Sequence, residues 1–155
     1  MMNICYFKKY SVLLIFFLSN SVVWSQDSPN IILLIGDGMG LTQISAGMYS
    51  NGNSTALEGF EYIGLAKTSS SNNLVTDSAA SGTAMATGVK TLNGVLGISS
   101  KNVNQKSILE ICQDQGYKTA LIGTSSVVHA TPASFYAKED SRYNYENIAL
   151  QLSKH

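Results

Sequence analysis

The sequence predicts a layered α/β fold, with helices covering a largely parallel central sheet. Three observations carry that expectation. Two continuous apolar runs of strand length each end in glycine, helical patterns alternate with strand-like segments, and two of the helical patterns begin on cap-type residues and stop at glycine.

Taken in order, Asn30-Ile-Ile-Leu-Leu-Ile-Gly36 is apolar throughout, as suits a strand buried on both faces. Gly36-Asp-Gly-Met-Gly40 makes a tight turn, and residues 41–49 have helix-compatible spacing. Strand, glycine turn and helix form one half of a βαβ unit. Asn51-Gly-Asn-Ser-Thr is loop chemistry, residues 62–68 read as a second strand, and residues 69–73 are polar and without pattern. Thr76 to Gly88 reads as a helix with cap residues in front and glycine behind. Asn93-Gly94 and Gly97 mark turns. Ser107 to Gln115 is an amphipathic helix stopped by Gly116, and residues 117–123 return as a buried strand. Pro132 can open a short helix. Another helix begins at Tyr145 and carries no stop signal, as expected of a sequence that continues past His155.

The first 25 residues are laid out as a secretory signal peptide: Lys8 and Lys9, the apolar run Val12-Leu-Leu-Ile-Phe-Phe-Leu18, then Val23-Trp24-Ser25 before Gln26. The apolar run is far shorter than the ~20 residues of a spanning helix. Export to the periplasm or the medium, with no stable membrane anchor after cleavage, is therefore expected. Residues 26–155 form about one domain's length and carry eight basic against ten acidic residues. A charge near −2 excludes a basic nucleic-acid footprint. Beyond the leader Cys112 stands alone, so an internal disulfide is not expected, and its place on an apolar helix side predicts a buried, inert thiol.

Three clusters could carry chemistry. Asp37 lies between two glycines at the carboxyl end of a buried strand, where open α/β sheets place ligands. It suits either an Asx-turn or a ligand to zinc or a hard cation. Ser78 stands at the first turn of a small-residue helix directly after Asp77. There it is either part of an N-cap or a nucleophile favoured by the helix N-terminus. No Gly-x-Ser-x-Gly elbow surrounds it, so metal activation is the coherent route to a reactive hydroxyl. His129 and Thr131 follow another strand, and alternation across Ala130 lets both face one way. They could serve a magnesium site that keeps waters, or His129 could be a solvated loop residue. Arg142 offers a planar fork for a phosphoryl group, or is a surface charge among Lys138, Glu139 and Asp140.

Together these clusters resemble the alkaline phosphatase family. Residues 30–40 look like its first strand and metal turn, Val75-Thr-Asp-Ser-Ala-Ala-Ser-Gly-Thr-Ala-Met-Ala-Thr-Gly88 like its active-site serine signature, and residues 129–142 like its third block. The resemblance runs from Pro29 to His155 and implies an α/β/α architecture and hydrolysis of phosphate monoesters through a phosphoserine. It implies that Asp37 bridges one zinc and the magnesium, that Ser78 binds that zinc and attacks phosphorus, and that Thr131 ligates magnesium. His129 falls at a position that meets magnesium directly or through water. The resemblance further implies that Arg142 grips two phosphate oxygens while Asp77 orients its guanidinium. A complete site of this family holds two zinc ions and one magnesium ion, and family members are commonly dimers, so a homodimer is what the resemblance allows; the pairing surface cannot be read from this sequence. The remaining zinc and magnesium ligands of the family have no counterpart here, and one usable histidine cannot build two zinc sites. The expectation is thus an incomplete, by itself inactive piece of a phosphatase. A related sulfatase or phosphodiesterase, or a secreted non-catalytic module binding phosphate or metal, is the alternative. A sulfatase would need proline and arginine after its modified residue, and Ser78-Ala-Ala-Ser81 has neither.

Overall fold

The computed structural model describes residues 29–154, so the leader at residues 1–25 lies outside the described residues. The chain divides into two units, one ending at Ile35 and one beginning at Gly36. Of the first unit, residues 29–35 are described; they form no regular element, and the side chains of Ile31, Ile32, Leu33 and Leu34 are exposed.

The second unit is built on five α-helices among its described residues: α1 (Leu41–Ser50), α2 (Ser78–Thr87), α3 (Ile108–Asp114), α4 (Ala130–Ala133) and α5 (Tyr145–Leu152). A single 3₁₀ turn, Ala56–Gly59, follows α1 and is closed by a capping box between Thr55 and Glu58. The two central helices start and stop where their chemistry says they should. Asp77 caps α2 by accepting from the Ala80 N–H, and Gly88 ends it in the left-handed conformation. Ser107 and Glu110 form a reciprocal capping box at the head of α3. The short α4 begins at Ala130, two residues before the proline expected to open it. Cys112 is half-buried rather than buried, in a helix none of whose residues is fully buried.

The core is small-residue packing around three large side chains, Leu96, Tyr136 and Ile148. Ala79, Leu96, Ala130, Ala133, Tyr136, Ala137 and Ile148 are buried together, with Leu121, Val128 and Leu152 against them. Helices α2 and α4 pack on each other, at a spacing set by Gly82. A Cβ there would collide with the Ser134 hydroxyl. A second tie runs through Thr83, fully buried, whose hydroxyl donates to the Val95 carbonyl and accepts from the Gly97 N–H.

No strand is laid down among the described residues; two isolated antiparallel bridges, Leu96 with Glu139 and Ile98 with Asn104, are the only ladder contacts there. The segments expected as strands at 30–36, 62–68 and 117–123 are unpaired, and Leu65 and Ile122 are 103% and 95% exposed. The physical reason is that a strand, unlike a helix, finds its hydrogen-bond partners in other segments. The apolar pattern is present in each run, but no described neighbour forms a ladder with it.

Candidate active site

The turn after residue 35 aims Asp37. Met39 N–H donates to the Gly36 carbonyl at 3.1 Å, and Gly40 N–H to Gly38 at 3.0 Å. Gly40 then caps α1, so the carboxylate is held at a junction rather than on a free loop. Its two oxygens receive two hydroxyls. Ser78 Oγ donates to Asp37 Oδ1 at 3.1 Å, and Thr131 Oγ1 donates to Oδ2 at 2.8 Å. Ser78 is the first residue of α2 and Thr131 lies in α4, so the close packing of those helices brings both hydroxyls to one carboxylate.

Beside them, Arg142 Nη1 donates to Asp77 Oδ2 at 3.1 Å. Asp77 also accepts from the Ala80 N–H at 2.9 Å and the Gly94 N–H at 3.0 Å. Burial would raise the Asp77 carboxyl, but those two backbone donors, the Arg142 hydrogen bond and the Arg142 charge together hold it below the usual 3.8. Asp77 is thereby favoured in its ionised form, which keeps the guanidinium oriented. The Arg142 side chain is 21% exposed.

His129 stands apart from this hydrogen-bonded group. It occupies the N-cap position of α4 without a side-chain cap bond, and its exposed ring stacks on Tyr145 at 6.2 Å between centroids. Tyr143 meets Tyr145 edge-on and lies under the Arg142 guanidinium at 5.9 Å. The sequence reading missed Tyr145, whose only signal was a place at a helix start. It also took Asn93 for a turn residue alone, although its side chain bonds to Asp77 and Val75.

A carboxylate flanked by two alcohols is an all-oxygen donor set, which fits a hard cation that retains some of its waters. Asp37, Thr131 and Ser78 are therefore suited to magnesium. Zinc asks for three or more nitrogen, sulfur or carboxylate ligands, and among the described residues no three His, Cys, Asp or Glu side chains converge.

Comparison with known proteins gives a consistent picture. The family model described as alkaline phosphatase matches residues 28–155. The chain is 43% identical over 129 residues to alkaline phosphatase 4 of Bacillus subtilis (strain 168), a match covering 77% of this chain and 28% of that protein. It is 40% identical over 131 residues to the alkaline phosphatase of Escherichia coli (strain K12), again covering 77% and 28%. Among solved structures, the alkaline phosphatase of the Antarctic bacterium TAB5 is 46% identical, with a TM-score of 0.77 over 81% of this chain and 36% of that one. A variant of that enzyme, 45% identical with a TM-score of 0.77 over the same 81% and 36%, has Mg bound in its M3 site. The chain thus spans a little over a quarter of the length of those curated relatives.

Proposed function

The chain belongs to the alkaline phosphatase family, and from that premise we propose that it carries the nucleophile and phosphate grip of a phosphomonoester hydrolase, with Ser78 accepting the phosphoryl group. The observation that carries this reading is the meeting of the Ser78 and Thr131 hydroxyls on the two oxygens of Asp37.

Asp37, Thr131 and His129, the last directly or through water, would hold magnesium. Asp37 and Ser78 would supply part of the ligand set of one of two zinc ions. Bound there, the cations would neutralise phosphate charge and favour the ionised serine. The rest is the work of this chain. Arg142, pinned by Asp77 through one nitrogen, turns its remaining N–H groups to two phosphoryl oxygens. The start of α2 adds the positive end of a helix to the same face. Ser78 Oγ gives up its proton to solvent and attacks phosphorus in line, so that the Oγ–phosphorus bond forms as the ester P–O bond breaks and the departing alkoxide takes a proton from water and leaves as the alcohol. Water then cleaves phosphoserine, restoring the hydroxyl and releasing inorganic phosphate.

The layered α/β/α architecture belongs to the same proposal, with segments 30–36, 62–68 and 117–123 as strands. Their apolar sequences support it. Export is proposed from the leader at residues 1–25.

The test is trapping. In the product of the open reading frame containing this chain, read to its own stop codon, an aryl phosphate should phosphorylate the native protein, and Ser78→Ala should abolish the label. Label retained in the alanine variant would mean that another group is the nucleophile.

A further inference from the structure

Between α2 and α3 lies a two-residue turn that the proposed chemistry does not use, yet it touches both halves of the proposed site. The Asn93 side chain brackets the approach to Ser78. Its Nδ2 donates to the Val75 carbonyl at 2.9 Å, and its Oδ1 accepts from the Asp77 N–H at 3.2 Å. Its own N–H is held by Asn72 Oδ1 at 3.2 Å, so the bracket is itself anchored. The next residue faces the other way. Gly94 N–H donates to Asp77 Oδ2, the same oxygen that receives Arg142 Nη1. The Gly94 carbonyl accepts from the Arg142 backbone N–H at 2.7 Å.

One turn therefore fixes the main chain just ahead of Ser78, the carboxylate that orients the guanidinium, and the main chain of the arginine itself. Gly94 adopts φ +87°, and a Cβ there would meet nothing within 4 Å. The glycine is thus required by backbone conformation and not by space. A hydrogen-bonding amide followed by a left-handed glycine is what lets side chain and backbone serve two different segments from one corner.

We infer that Asn93-Gly94 is a positioning unit that sets the distance between the Ser78 hydroxyl and the Arg142 guanidinium, acting through both and touching neither the phosphoryl group nor the metals. The inference rests on the roles proposed for Ser78 and Arg142. Neither composition nor motif spacing points to it; the hydrogen bonds do. A change in that separation is felt twice, once in phosphate affinity and once in the rate of attack. Misplacement of about 1 Å is enough to cost up to ~100-fold in rate.

The test uses the same full open reading frame, loaded with zinc and magnesium, and reads two quantities. These are the affinity for inorganic phosphate by calorimetric titration and the single-turnover rate of serine phosphorylation. Asn93→Ala should weaken the first and slow the second, each by about tenfold. Asn93→Asp keeps the acceptor for the Asp77 N–H but loses the donor to Val75; it should fall between the wild type and Asn93→Ala. It decides the matter if the alanine variant does not fold. Because the turn acts on phosphate through the guanidinium, adding Asn93→Ala to Arg142→Ala should cost little further phosphate affinity. Additive losses, or a lowered melting temperature with both quantities unchanged, would show a structural role only and overturn the inference. Phosphate affinity that is indifferent to Arg142→Ala overturns the proposed role of Arg142, and this inference with it. Affinity that needs Arg142 but ignores both Asn93 variants overturns this inference alone.

Discussion

Gly97 shows how a single residue can be irreplaceable without touching the site. It holds φ +61°, and a Cβ would be driven into the Ala137 carbonyl oxygen and the Lys138 side chain. Its N–H donates to the buried Thr83 hydroxyl on α2. Gly97→Ala therefore meets backbone strain and a collision with main chain together, and should lower stability by about 3 kcal/mol, read by urea unfolding. Gly94→Ala meets only the strain and should cost about 1 kcal/mol on the same measurement. At this scale the sequence displayed the types of the candidate residues well. Asp37 stood out because it sits between glycines, and Ser78 because it follows a capping aspartate. The partners of those residues were readable only through the family resemblance, not from spacing or composition. Motif spacing does not say that Thr131 and Ser78 share one carboxylate; the family resemblance groups them around Asp37, but it does not say that His129 meets Tyr145 instead of joining them.

Among the elements, α3 carries a charge device with a definite pH signature. Glu110 closes the capping box with Ser107 and also accepts from Lys138 at 2.7 Å, both side chains being mostly covered. Burial would raise the Glu110 carboxyl, but the Lys138 hydrogen bond, the Ser107 N–H and the Lys138 charge outweigh it and hold it below the usual 4.5. A depressed carboxyl gives stability that is complete above its unfolded value and is lost as pH falls through the folded one. Glu110→Gln should thus cost about 1–2 kcal/mol at neutral pH, and the difference from the native protein should shrink below about pH 4.5. Urea midpoints at about pH 7 and about pH 3 measure both. A difference that stays constant with pH would assign the effect to packing. The limits of α2 and α3 were legible because caps and stop residues are local chemistry. The strand-like runs were legible as apolar patterns only, since pairing is decided by distant segments.

Taken whole, the molecule presents a proposed phosphate grip and part of a cation site on a small helical core, across a little over a quarter of the length of its curated relatives. The 155 residues alone, supplied with zinc and magnesium, should show negligible multiple turnover of an aryl phosphate. Steady release of product would show that these residues complete a working metal site unaided.

The Asp37 carboxylate carries one more consequence, concerning time. Its hydroxyl partners lie 41 and 94 residues farther along the chain. At a synthesis rate of about 5–20 residues per second, Thr131 follows Asp37 by roughly 5–20 s. Until Ser78 is made, roughly 2–8 s after Asp37, the turn draws, among the described residues, on short-range bonds such as Met39 to Gly36 and Ile44 to Gly40. Those short-range bonds let the first-made part of the site hold its bend while the remainder is still being translated.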